Sequence, residues 1–221
     1  MPPHQPKGKR YERRLERDLI KLVIFVLILI GIYFAASAVF KARNSFDYQG
    51  LKFTKEKYGE LPVYHYYYYF KGEGGRPIQY NLYLQHDPRT NNVSVTGDPV
   101  VFKNKYLYLT LDTSYPSTCR DNAAGLVDLR SFLSDNTFTI ITGIMNESYA
   151  LEHAMRYITC GTQSDSSEVI QVYGGNETQI IVDNNCHSII IGPDCRIREA
   201  VEKFKILSVI EARTRNRRGV F

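Results

Sequence analysis

The sequence predicts a single N-terminal transmembrane helix followed by an α/β or α+β exported domain, with an antiparallel N-terminal meander and a helix-covered mixed sheet. Three observations carry this. Residues 19–40, LIKLVIFVLILIGIYFAASAVF, form an almost wholly apolar run. Residues 51–115 show strand texture, with short alternating runs between turn residues. From 119 to 212 the pattern switches back and forth between helical and strand periods.

The apolar run comes first. A helix rising about 1.5 Å per residue needs roughly 20 apolar residues to cross about 30 Å of hydrocarbon, and 19–40 meets that length. Its β-branched and aromatic residues are poor helix formers in water, but lipid leaves the backbone no alternative to internal hydrogen bonds. A cleaved signal peptide has a shorter core, of about 7–15 residues. Ala36-Ser37-Ala38 resembles a cleavage site, so cleavage after Ala38 is the rival to the retained anchor adopted here.

Orientation follows from the flanks. Lys7, Lys9, Arg10, Arg13, Arg14 and Arg17 precede the run, Lys21 sits at its edge, and only Lys41 and Arg43 follow closely. The positive-inside rule then makes 1–18 a basic cytoplasmic tail and puts the rest of the chain outside the cell membrane, after a linker at 41–50. Lys21 can snorkel to the headgroups. Membrane lipid is thus the expected partner of 19–40.

The net charge of +5 misleads about other partners. Nine basic and three acidic residues fall in 1–43, leaving 19 basic and 20 acidic in 44–221. A nucleic-acid binder concentrates positive charge on its folded part, so no nucleic acid is expected. The one basic cluster outside is Arg213, Arg215, Arg217 and Arg218, in a tail spanning 213–221.

All four cysteines, Cys119, Cys160, Cys186 and Cys195, lie beyond the apolar run. An even count confined to the exterior predicts two disulfides. Three pairings are open. Cys186 and Cys195 bracket the shortest stretch and are the expected pair, leaving Cys119 with Cys160. A metal site on Cys186, His187 and Cys195 lacks a C-x-x-C knuckle and a fourth ligand, so no metal is expected. Sequons at Asn92, Asn146 and Asn176 also lie outside, each near a turn or element end, and are candidate glycosylation sites.

Along the exterior, LKFTKEKY reads as a strand ending at Gly59, and VYHYYYYF at 63–70 as a second strand. Lys71-Gly72-Glu73-Gly74-Gly75 turns the chain into a return strand at 78–85 that shows Ile78, Tyr80, Leu82 and Leu84 on one face. His86-Asp87-Pro88-Arg89 turns again, and residues 106–111 form another strand. Asp121 or Asn122 caps a helix to about Ser134, its core side formed by Leu126, Leu129, Phe132 and Leu133. TFTIITGI at 137–144 reads as a strand buried on both faces. Asn146 caps a helix running through Ala150, His153, Ala154 and Tyr157. Residues 169–172 form a strand, Gly174-Gly175-Asn176 a tight turn, and 178–182 its hairpin partner. A short strand at 188–191 leads through Pro193-Asp194 to an amphipathic helix carrying Ile197, Val201, Phe204 and Leu207. Residues 205–210 could instead form a strand; helix is the reading adopted. Strand–helix–strand runs call for at least one parallel pair.

Catalytic signatures are missing. The glycines at 72, 74 and 75 serve a hairpin turn, and neither G-x-S-x-G nor H-E-x-x-H occurs. No cofactor is expected, and an enzyme is the less favoured reading. The candidate recognition loop is His86, Asp87 and Arg89, an Asp–Arg pair around a proline that equally suits a braced turn. A partner surface would draw on Tyr64, Tyr66, Tyr67, Tyr68, Tyr69 and Phe70, although alternate tyrosines covering both faces of a sheet account for the run more simply.

Gly50-Leu51-Lys52-Phe53, Asp87-Pro88-Arg89, Thr159-Cys160, Asn185-Cys186 and Cys195 ahead of the last helix together resemble archaeal-type single-pass membrane proteins with a disulfide-containing exported domain. The resemblance implies a lineage and carries no activity. The expected function is a membrane-anchored extracytoplasmic structural or interaction protein, a subunit of a surface or membrane-associated assembly, partnered by other membrane or surface proteins or by itself. The alternative is a ligand-binding or enzymatic ectodomain acting on an extracellular polymer or peptide, with polar groups near Asp87, Arg89, His153 or His187.

Overall fold

The structure is a computed structural model that describes residues 8–98, 100, 102–112, 119–162 and 168–218. Lys7 with the rest of 1–7, the end of the strand-rich half at 113–115 and the last residues of the basic tail, 219–221, lie outside the described residues. The chain divides into two compact units, 1–46 and 47–221.

The described residues of the first unit are the helix α1 (Gly8–Asn44) and the start of the strand that follows it. Within Arg17–Asn44 an 18-residue stretch reaches a mean hydropathy of 2.8, and the segment is long and apolar enough to cross a membrane. Core helices of water-soluble proteins bury their apolar side chains. Here Leu22, Phe25, Ile28, Ile32 and Phe34 all stand exposed.

The second unit holds two sheets. Strand β1 (Ser45–Tyr48) straddles the unit boundary, within the stretch expected as linker. It begins a four-stranded sheet of order β1-β2-β3-β4, with β2 (Leu51–Tyr58), β3 (Leu61–Lys71) and β4 (Pro77–Leu84) forming the expected antiparallel meander. The β3–β4 turn relies on Gly74 and Gly75, both at positive φ, where a side chain would be strained.

The second sheet has six strands in the order β5-β9-β10-β8-β6-β7. These are β5 (Ser94–Gly97), β6 (Tyr106–Leu111), β7 (Thr139–Ile144), β8 (Glu168–Gly174), β9 (Gln179–Asp183) and β10 (Cys186–Ile191). All neighbours are parallel except β9 and β10, so the sheet is mixed. Helices α2 (Asn122–Asp135) and α4 (Ile197–Arg218) pack on each other, and Gly125 leaves room for Ile197 at their contact. Helix α4 also covers β9 and β10, and Leu107, Leu109, Ile170, Ile189, Phe204 and Val201 form the buried core.

Several local expectations change. The turn at 174–176 does not close a β8–β9 hairpin. Strand β10 pairs with both, parallel to β8 and antiparallel to β9, so β9 lies one strand further out. Strand β7 is a sheet edge with Thr139 and Thr142 exposed rather than a strand buried on both faces. Helix α3 (Glu147–Glu152) is shorter than expected because Ala154 takes positive φ, and Tyr157 then bridges to Ile144. Asn146 does cap it, accepting the Tyr149 N–H, whereas the Asp121 side chain makes no capping bond to α2. Residues 205–210 are helical.

The disulfides are Cys119–Cys195 and Cys160–Cys186, replacing the expected Cys186–Cys195 and Cys119–Cys160. Strand geometry gives the reason. Cys186 opens β10, and six extended residues at about 3.3 Å each carry the chain to the far end of the sheet before Cys195 is reached. A disulfide needs Cα atoms within roughly 7 Å, and the two bonds formed have 5.4 and 5.6 Å. Cys119 precedes α2 and Cys195 precedes α4, so the packing of these helices brings the pair together. Two such bonds fit an oxidising, extracytoplasmic setting.

Candidate functional site

The pleat of the four-stranded sheet sorts the tyrosine run into two sets, because successive side chains point to opposite faces. Tyr64, Tyr66, Tyr68 and Phe70 face inward with Phe53, Tyr80, Leu82 and Leu84. Tyr66 lies 5.5 Å from Phe53, ring to ring, and Tyr80 meets Phe132 of α2 edge-on at 5.8 Å. The Tyr68 hydroxyl donates to Asn136 Oδ1 at 2.6 Å. Burial pushes the phenols of Tyr68 and Tyr80 well above the ordinary value. These inward residues are consumed by the core.

The outer face carries the other set. Tyr58, Tyr67, Tyr69 and Tyr83 are 82%, 53%, 62% and 53% exposed, and Leu61 beside Tyr58 is 64% exposed. A row of polar groups runs among them. His65 stacks on Tyr83 with centroids 4.6 Å apart, and its ring nitrogens meet Glu56 Oε1 at 2.9 Å and Asn81 Oδ1 at 3.1 Å. Gln79 Nε2 donates to Asn81 Oδ1, while the Tyr69 hydroxyl donates to Gln79 Oε1, both at 3.0 Å. The polar groups thus hold one another, and of the rings Tyr83 is stacked on His65 and Tyr69 is hydrogen-bonded to Gln79. Of the six residues singled out in the run, Tyr67 and Tyr69 belong to this face.

The loop of His86, Asp87 and Arg89 is built differently. Glu202 of α4 accepts the backbone N–H of Gln85 at 2.6 Å and of His86 at 3.2 Å, and meets His86 Nδ1 at 3.0 Å. That hydrogen bond raises the His86 pKa above its ordinary value, against a smaller opposing effect of burial. Asp87 accepts from Arg89 Nε at 2.9 Å and Nη2 at 2.6 Å, which lowers its carboxyl pKa. Asn91 Nδ2 donates to the Glu199 carbonyl at 2.8 Å. Internal partners absorb the loop's polar groups, and the loop clamps the end of β4 to α4.

The three sequon asparagines, Asn92, Asn146 and Asn176, are exposed and none lies on the four-stranded sheet. His153 stacks on Tyr149 at 3.9 Å. His187 is fully buried against Phe102 and Phe204, with neither ring nitrogen hydrogen-bonded, and burial lowers its pKa to about 4. Among the described residues no cluster of three or more His, Cys, Asp and Glu side chains is arranged to hold a metal ion. The outer face gave no periodic signal beyond the alternation itself; its membership follows from register, which pairs His65 with Tyr83 and Tyr67 with Asn81.

Comparison with protein-family models, with curated proteins and with solved structures gives no match to this chain.

Proposed function

We propose that this chain is a membrane-anchored extracytoplasmic interaction protein, a subunit of a surface or membrane-associated assembly, and that the outer face of β2–β4 is where a partner protein docks. The carrying observation is the set of exposed rings, Tyr58, Tyr67, Tyr69 and Tyr83, on the face that also carries the hydrogen-bonded polar row. Tyrosine is enriched at protein interfaces because one rigid side chain supplies both apolar area and a hydroxyl. Small-molecule sites are concave, whereas a regular three-strand face offers an extended surface. The sequons lie off this sheet, so glycans on them would be attached away from it.

The reading is tested by purifying the full chain from its native membrane in mild detergent and measuring native mass and stoichiometry. A defined co-purifying protein that is lost on Tyr67→Ser/Tyr69→Ser and kept on Tyr68→Phe supports it. A chain that stays alone, or one that binds a soluble glycan through Tyr67, would favour the ligand-binding alternative instead.

A further inference from the structure

Strand β4 ends the four-stranded sheet, and its composition is unusual for an edge. Native edge strands are usually short, or carry Lys, inward charges or bulges that discourage pairing with another chain. Residues 77–84, PIQYNLYL, span eight positions with no charged side chain, and the one proline is the first residue. No described residue outside β3 forms a backbone hydrogen bond with 77–84. Half of the strand's backbone groups point away from β3, since an antiparallel strand alternates which side its N–H and C=O groups face.

The strand is also chemically symmetric about its middle. With Asn81 placed opposite itself in an antiparallel pair, Tyr80 faces Leu82 and Ile78 faces Leu84 on the inner side, while Gln79 faces Tyr83 on the outer side. Every cross-strand pair is then apolar with apolar or amide with amide or phenol. The Gln–Tyr match is one the fold already uses, because Gln79 lies opposite Tyr69 within the sheet and accepts its hydroxyl. Ile78 is 42% exposed in the isolated chain while Leu82 and Leu84 are already fully buried, so the pairing would rest on the backbone edge and the outer-side pairs. A two-fold axis requires this self-complementarity of a shared patch, and like strands without charge carry no mutual repulsion.

We propose that β4 pairs antiparallel with β4 of a second copy of this chain, centred on Asn81, giving a continuous eight-stranded sheet with a doubled outer tyrosine face. The proposal differs from the partner reading above in using the backbone edge of β4, although Gln79, Asn81 and Tyr83 belong to both.

The test uses the full chain in mild detergent. Native mass should be that of a dimer. Asn81→Cys should couple two chains through a short bismaleimide, since residues directly opposed lie about 4.5–5.5 Å apart at Cα. Lys52→Cys on β2 should not, because five strand spacings of about 4.8 Å separate the two copies. Gln79→Lys/Asn81→Lys should halve the native mass; because both residues also hold the polar row of the ring face, Tyr67→Ser/Tyr69→Ser is measured beside it and should keep the dimer. A wild-type monomer overturns the proposal, as does a dimer that survives both lysines or one that couples through position 52 and not 81. A wild-type dimer that carries no heterologous partner would count against the ring-face reading alone.

Discussion

Glu202 and His86 are 116 residues apart in sequence and joined twice in space, through the His86 backbone N–H at 3.2 Å and the His86 Nδ1 at 3.0 Å. The same carboxylate takes the Gln85 N–H at 2.6 Å, so one buried acid of α4 fixes the chain where it leaves the four-stranded sheet. Removing an acceptor that serves three partly buried donors costs part of their desolvation, about 1 kcal/mol or somewhat more. Glu202→Ala should therefore lower stability by about that much in a denaturant titration. The pH dependence has a definite sign. His86 has its folded pKa raised, so its contribution is fully present below the ordinary histidine pKa and fades as pH rises through the folded value. Glu202→Gln should flatten this decline above pH 6.5, which Tm measured across pH 6–9 would detect.

His187 pulls the other way. Its ring is enclosed by Phe102 and Phe204 with both nitrogens lacking partners, and Asp183 offsets only part of the burial cost of its charged form. With a folded pKa of about 4 against an ordinary value near 6.5, the unfolded chain takes up the proton first and stability falls as pH drops through that interval. The full loss is roughly 3 kcal/mol. His187→Phe should remove it, raising Tm at pH 4.5 more than at pH 8. An equal change at both pH values would show that the ring's titration does not matter.

What the sequence made legible divides by range. The β3–β4 hairpin was readable because its alternation and glycine turn lie within 24 residues, and α4 was readable from Ile197, Val201 and Phe204 at helical spacing. Strand β5, SVTG, is too short to carry a pattern and was not anticipated. The apolar run at 137–144 could not say whether a neighbour lies on one side of it or both, and β7 proved to be an edge. The β8–β9 pairing failed because β10, later in the chain, inserts between them. The tyrosine run was visible at once, yet which rings face out depends on which face meets α2, a long-range fact. The Glu202 clamp left no local signal at all.

The disulfide pairing is the correction most directly open to chemistry. Proteolysis without reduction should release one peptide pair joining Cys119 to Cys195 and another joining Cys160 to Cys186. A Cys186–Cys195 peptide would contradict the fold near β10. Closing loops of 76 and 26 residues restricts the unfolded chain by about 4.5 and 3.5 kcal/mol on the chain-entropy account. Reduction should accordingly lower Tm, and Cys119→Ser/Cys195→Ser should cost more than Cys160→Ser/Cys186→Ser.

Lys205 and Asp128 give the last prediction, because their burial is lopsided. The Lys205 side chain is 2% exposed and its Nζ lies 2.8 Å from both oxygens of Asp128, whose own side chain is 48% exposed. The ammonium also sits 5.9 Å over the Phe132 ring, between α2 and α4. Removing only the acid strands a buried cation, a change that costs about 3–5 kcal/mol in fully buried pairs and less here, since water reaches the Asp128 side. Removing the cation leaves an acid that water can solvate. Asp128→Ala should therefore destabilise the domain by about 2 kcal/mol or more. Lys205→Met, which keeps the apolar stem and leaves Asp128 to solvent, should change stability much less. Denaturant midpoints of the two single variants and the double would decide it. The double should fall near Lys205→Met, and a double as unstable as Asp128→Ala would mean that Asp128 acts through some contact other than this lysine.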